Sequence, residues 1–154
     1  MALLGYGESS DAYHISTPHP DGAGARAAML QALQRAGVQP QQVDYVNLHG
    51  TATPSNDRAE DRAVSALFGT DVACSSTKGW TGHTLGAAGI TEAIFCAMSI
   101  EHGFVPGTLN TVERDPELAL PVLLDNRDQR VERALSNSFG FGGSNCSLLF
   151  GRVE

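Results

Sequence analysis

Val72-Ala73-Cys74-Ser75-Ser76-Thr77-Lys78-Gly79-Trp80-Thr81-Gly82-His83 runs directly into Thr84-Leu85-Gly86-Ala87-Ala88-Gly89, and this stretch decides the fold. Val72 to Ser75 is short and compact, as a buried strand is. The glycine-bearing segment after it is a loop. From about Leu85 to His102 the pattern is helical until Gly103 stops it, and Ala87, Ala88 and Gly89 suit close packing. Strand, glycine loop and helix in succession form the unit from which α/β sheets are built. Lys78 is the only lysine among the 10 cations, and Trp80 is the only tryptophan. Surface lysines are normally scattered, so a solitary one in such a loop points to a specific task.

The same alternation extends outward. Ala2-Leu3-Leu4-Gly5-Tyr6-Gly7 reads as a short strand ended by glycine, followed by a polar loop through His14, Pro18, His19 and Pro20. Asp21 is the expected N-cap of a helix carrying Ala25, Ala28, Met29, Ala32, Leu33 and Ala36 on one face, with Gly37 as its stop. Val43 to Leu48 alternates as a strand. Asn56 or Asp57 is expected to cap a second helix, with Glu60 in the capping-box position after Asp57 and Ala63, Val64, Leu67 and Phe68 on one side. Beyond Pro106 and Pro116, Val122 to Leu124 adds strand character. Arg133–Ser138 and Cys146–Phe150 then read as a hairpin around Gly140-Phe141-Gly142-Gly143. The expectation is an α/β fold in which helices cover a sheet.

Composition narrows the functions. At 154 residues the chain has the length of one ordinary domain, taken as 1–154. Its formal net charge of −7 has the wrong sign for phosphate-backbone attraction, which argues against a nucleic-acid partner. The longest apolar runs, such as Ala93–Phe95 and Leu118–Leu120, fall far short of the roughly 20 residues that cross a bilayer, so no membrane role is expected. The first residues carry no secretory pattern. Cys74, Cys96 and Cys146 make an odd count without CxxC spacing, so reduced thiols and a cytoplasmic location are expected.

Three glycine-bearing loops follow predicted strands: His49-Gly50-Thr51-Ala52-Thr53-Pro54, Lys78 to His83, and Asn137-Ser138-Phe139-Gly140-Phe141-Gly142-Gly143-Ser144-Asn145. Ligands gather at the carboxyl ends of strands in such sheets, so these loops are expected to converge. Convergence assembles two imidazoles and an ammonium. Neutral imidazoles donate one N–H each, and His49 with His83 suits one oxygen on which charge develops. No His-x-x-x-His or Cys-x-x-Cys spacing completes a metal site, and no metal is expected. The glycines at 140–143 precede a strand rather than a helix, unlike a dinucleotide-binding turn. Cys74 lies inside a predicted strand, Cys96 on a helix face and Cys146 in the last strand, so none presents itself as a nucleophile.

Taken together, the three segments resemble the second half of a β-ketoacyl-acyl carrier protein synthase of the elongating type, within the thiolase-like superfamily. His49 to Asp57 resembles the first histidine motif of that family, Ser76 to Gly89 its lysine and second-histidine motif, and Asn137 to Asn145 its closing phenylalanine-glycine loop. Gly5-Tyr6-Gly7 through His14 resembles the opening of the same half. The resemblance implies a mixed five-stranded sheet covered by helices, and an acyltransferase of fatty-acid or polyketide elongation. It implies His49 and His83 as the pair that serves malonyl decarboxylation, Lys78 ordering the pocket through Glu92, and the Phe139 N–H in an oxyanion hole. It further implies Thr51 and Thr53 on the pantetheine arm, Phe141 on the chain pocket and Asp57 as structural support. No separate cofactor is implied, since the substrate carries phosphopantetheine on acyl carrier protein. The implied partners are that carrier protein, a nucleophile-bearing N-terminal half absent here, and a second copy in a homodimer. The isolated chain is accordingly expected to be inactive in condensation. Two other expectations remain: a non-catalytic partner subunit resembling a chain-length factor, and a stand-alone malonyl-thioester decarboxylase.

Overall fold

The protein is described from a computed structural model that covers residues 1–153. Strand β1 (Ala2–Ser10) leads through a loop into helix α1 (Ala23–Ala36), followed by β2 (Tyr45–Asn47), α2 (Pro54–Phe68) and β3 (Ala73–Ser75). A short helix α3 (Lys78–Thr81) and the long α4 (Ala88–His102) come next. The chain finishes through β4 (Phe104–Val105), β5 (Arg127–Asp128), β6 (Arg133–Gly140) and β7 (Ser144–Gly151).

Five strands form one mixed sheet in the order β1-β7-β6-β2-β3. β2 is parallel to both β3 and β6, whereas β7 runs antiparallel to β6 and β1. Adjacent residues along each strand point to opposite faces, and both faces are buried at β2, β3 and most of β6, whereas β1 leaves one face exposed. Val46, Leu135, Leu149 and Cys74 face α1 and α2, packing with Met29, Leu33, Ala63 and Val64. Their neighbours Tyr45, Ala134 and Phe150 face α4, packing with Ala93, Cys96 and Ile100. The expected helix-covered, mixed α/β sheet is therefore the architecture found.

Helix α1 lies unusually close to β1. A Cβ on Gly7 would sit 1.8 Å from the Ala28 carbonyl oxygen, and one on Gly5 would sit 2.3 Å from that of Ala32. Only hydrogen side chains admit this approach. The loop after β1 is pinned as well. The Asp11 carboxylate accepts the His19 N–H and the Asn145 side-chain amide, and the Asp11 N–H donates to the Gly143 carbonyl.

Several boundaries differ from expectation. β1 continues through Ser10, because pairing with β7 holds the chain extended past Gly7. Gly22 in the left-handed conformation, not Asp21, is the N-cap of α1; a Cβ there would meet the Ala59 carbonyl at 2.2 Å. Thr53, not Asn56 or Asp57, precedes α2, and Pro54 fills its first position, where a missing N–H costs nothing. A 3-10 turn at Leu85–Ala87 delays α4 to Ala88. Val122–Leu124 forms no strand, and β4 pairs instead with β5. No helix among the described residues is long and apolar enough to cross a membrane.

Candidate functional site

The three parallel strands β2, β3 and β6 deliver their following loops to one edge of the sheet, as expected for this topology. His49 leaves β2 two residues after Asn47. Its backbone N–H and that of Gly50 donate to the two carboxylate oxygens of Glu60 on α2, each at 2.8 Å. Ser76, from the segment after β3, donates its hydroxyl to the Gly50 carbonyl at 2.7 Å and so ties the first loop to the second.

Lys78 opens α3 and is buried; its ammonium forms an ion pair with the equally buried Glu92 on α4. Two elements distant in sequence are thereby clamped behind the loop. Trp80 donates its indole N–H to the Gly107 carbonyl at 2.9 Å and anchors the same short helix from its other side. The Lys78 Nζ also lies 3.4 Å from His49 Nδ1. An ammonium only donates, so Nδ1 is the acceptor and the His49 proton resides on Nε2. Burial, then the Lys78 charge and then His83 pull the His49 pKa down to about 3, which keeps the ring neutral at physiological pH.

His83 stands at the exposed end of the second loop, where its Nδ1 accepts the Leu85 N–H at 3.1 Å. In its neutral form the His83 proton is therefore also on Nε2. The two imidazoles meet edge to face, with centroids 5.5 Å apart and planes at 86°. Phe139, near the end of β6, places its ring 5.8 Å from that of His49. Both histidines, Thr51, Thr53, Phe139 and Phe141 line one open cleft of about 1120 Å³. The Thr51 and Thr53 hydroxyls hydrogen-bond to each other at 2.8 Å, forming a polar strip on that wall.

Lys78, Glu92 and Asp57 lie outside this cleft's lining, and Phe141 stands at its rim. Lys78 and Glu92 sit behind the histidines, and one Glu92 oxygen has no hydrogen-bond partner. Burial raises the Glu92 carboxyl pKa while the hydrogen bond and charge of Lys78 act in the opposite sense. Asp57 borders a second cleft of about 550 Å³ between α2 and the 108–122 connection; it accepts the Asn56 amide at 3.0 Å, and burial raises its pKa. Phe141 is 86% exposed on the glycine turn.

The cysteines are poor nucleophiles in this setting. Burial, then the Glu60 and Asp61 charges, pushes the Cys74 thiol up to about 12, and burial raises Cys96 and Cys146 as well. Among the described residues, no three His, Cys, Asp or Glu side chains gather as a metal site would require. Arg127, Arg130 and Arg133 lie at or before the start of β6, whereas Phe139 is near its end, so the run of β6 separates this basic cluster from the histidines.

Sequence reasoning missed two contacts that shape the site. Glu60 was expected to cap α2, but it shares the buried side of that helix with Ala63 and Val64 and turns its carboxylate to the His49 loop. Its spacing from those two apolar positions was the available signal. The link from Asp11 to Asn145 joins residues 134 positions apart and leaves no local pattern to find.

Comparison with known proteins accounts for this arrangement. Residues 1–112 match the β-ketoacyl synthase C-terminal domain family. The chain is 50% identical to the mitochondrial 3-oxoacyl-[acyl-carrier-protein] synthase of Arabidopsis thaliana, over 98% of its own length and 34% of that protein. It is 45% identical to 3-oxoacyl-[acyl-carrier-protein] synthase 2 of Synechocystis, over 99% of its length and 38% of that protein. Among solved structures, a chain of the complex between the ketosynthase ApeO and its chain length factor ApeC from Xenorhabdus doucetiae matches with a TM-score of 0.94. That likeness has 46% identity and covers 99% of this chain and 39% of that one. The fold and the converging loops thus define a thiolase-like α/β module. The chain belongs to the β-ketoacyl synthase family, as its C-terminal domain, and spans between a third and two fifths of the length of these relatives.

Proposed function

We propose that this chain supplies the decarboxylation half of a 3-oxoacyl-acyl carrier protein synthase site. The observation that carries the reading is the pair of imidazoles, edge to face with centroids 5.5 Å apart, on the wall of an open cleft. A malonyl thioester on the phosphopantetheine arm of acyl carrier protein enters with its carbonyl oxygen toward the two Nε2–H donors. Loss of carbon dioxide leaves the C–C bonding pair as an enolate, whose oxygen those donors stabilise. The enolate carbon then attacks an acyl thioester; a new C–C bond forms and the thiolate departs.

Each other residue has a part in this scheme. Thr51 and Thr53 hydrogen-bond the pantetheine arm, and the Phe139 N–H stabilises the oxyanion of the attacked thioester. Phe141 borders the acyl chain. Lys78 and Glu92 hold His49 in its tautomer, and Asp57 supports the start of α2. The acyl-accepting cysteine comes from outside this chain, since its own three thiols are raised by burial. The intact histidine pair favours this reading over a non-catalytic partner subunit.

The test is malonyl decarboxylation and chain elongation by a synthase containing this chain. His49→Ala or His83→Ala is expected to lower decarboxylation by about a hundredfold or more, the scale of a lost oxyanion donor. The chain alone is expected to form no C–C bond. A loss of only a few-fold in both variants would make the histidines structural. Carbon dioxide release by the chain alone would instead favour a stand-alone decarboxylase.

A further inference from the structure

Glu60 is a fully buried carboxylate that grips the backbone of the histidine loop at His49 and Gly50, one turn of α2 beyond Asp57, whose half-buried carboxylate reaches the Thr51 and Ala52 backbone. One of its oxygens accepts the His49 N–H at 2.8 Å and the Asn137 side-chain amide at 3.2 Å; the other accepts the Gly50 N–H at 2.8 Å. Three N–H donors therefore converge on a group that only accepts when ionised. Asn137 is itself held by the Ser147 hydroxyl at 2.8 Å, which connects the carboxylate through β6 to β7. The loop it grips is conformationally demanding, with positive φ at Gly50 (40°) and at the non-glycine Ala52 (59°). Such a loop keeps its shape only when its surroundings over-determine it.

We propose that Glu60 is the positioning residue of this site: by accepting two consecutive peptide N–H groups it fixes the backbone that aims His49 at His83. This rests on the decarboxylation reading for its catalytic consequence, although the hydrogen-bond arrangement is independent of it. Charge is essential to the role. A protonated acid, or an amide, turns one donor of its own toward groups that are already donors, and one loop N–H loses its acceptor. Burial pushes the Glu60 acid up to about 7, against the lowering effect of its three N–H donors and of Lys78. The titratable or charged groups around it are His49 on the loop, Lys78 on α3, Asp61 beside it on α2 and Cys74 on β3, while β6 presents the neutral Asn137.

The experiment follows the backbone amides of His49 and Gly50 by 15N NMR in the full chain from pH 3 to 9, in the native sequence and in Glu60→Gln. Both amides are expected to titrate together with one shared midpoint above the ordinary carboxylate range, and that titration is expected to vanish in the variant. In a synthase containing this chain, Glu60→Gln is expected to lower kcat for malonyl decarboxylation about tenfold or more with KM little changed, the cost of a misaimed group. If the variant does not fold, the native titration decides alone. Amides that show no common step between pH 3 and 9, or a Gln variant with native kcat, would overturn the inference. A native Gln variant beside an inactive His49→Ala variant sinks only the role of Glu60. A clear amide titration beside a fully active His49→Ala variant sinks only the decarboxylation reading.

Discussion

Lys78 and Glu92 carry the heaviest electrostatic load of any side-chain pair here, because both are buried and Glu92 already has one oxygen without a partner. Lys78→Met removes the cation and leaves the carboxylate stranded. Breaking a buried pair from one side costs about 3–5 kcal/mol, and urea denaturation at pH 7 should show a loss of that size. The sign of its pH dependence follows. Without the ammonium, burial alone acts on Glu92 and raises its folded pKa further above the unfolded value of about 4.3. A raised carboxyl pKa destabilises the fold wherever the unfolded chain is ionised, so the deficit is largest at neutral pH. It shrinks as pH falls through the folded pKa toward the unfolded one. A deficit that stays constant from pH 7 to 5 would show that Glu92 is not the group left unpaired.

At the scale of elements, the decisive contact is the one between α1 and β1. Gly7→Ala forces a methyl toward a backbone carbonyl only 1.8 Å away, so the helix must withdraw from the sheet. Overpacking of this kind costs about 1–3 kcal/mol, or about 2–12 °C in Tm for a chain of this size. Gly37→Ala serves as the control: it meets nothing within 4 Å and carries only the strain of φ +66°. Thermal unfolding of the two variants checks the order. This contact also marks what could be read from sequence. Alternation and helical spacing located α1, α2, α4, β2, β3, β6 and β7, because those signals are local. The glycines of β1 read as its end in the sequence, since nothing local says that a helix backbone lies against them. Asp21 reads as the cap of α1 for the same reason, because the contact that requires glycine at position 22 comes from Ala59 on α2. Within the site, the loops and their histidines were legible through glycine placement and family resemblance. The task of Glu60 was not, because its partners are two peptide N–H groups 10 and 11 positions upstream and the side chain of Asn137, 77 positions away.

For the whole molecule, the unmatched feature is the outer side of α4. Ile90, Ile94 and Met98 recur at intervals of four and are 64%, 54% and 49% exposed, with Leu85 just before them at 78%. Three large apolar side chains in one row, with Leu85 exposed on the turn before them, mark an interaction surface on a chain of this size. In sedimentation at several concentrations, the chain by itself is expected to associate, and Ile90→Lys with Ile94→Lys to shift it toward the monomer. A single species unchanged by concentration or by these substitutions would count against that surface. On the opposite flank, the Asp11 carboxylate and the β1–β7 ladder fasten the two sides of the 12–21 loop independently. Severing the backbone between Tyr13 and Ser16 would therefore release neither piece: β1 would remain zipped to β7, and a nicked molecule would keep the outline of the intact one.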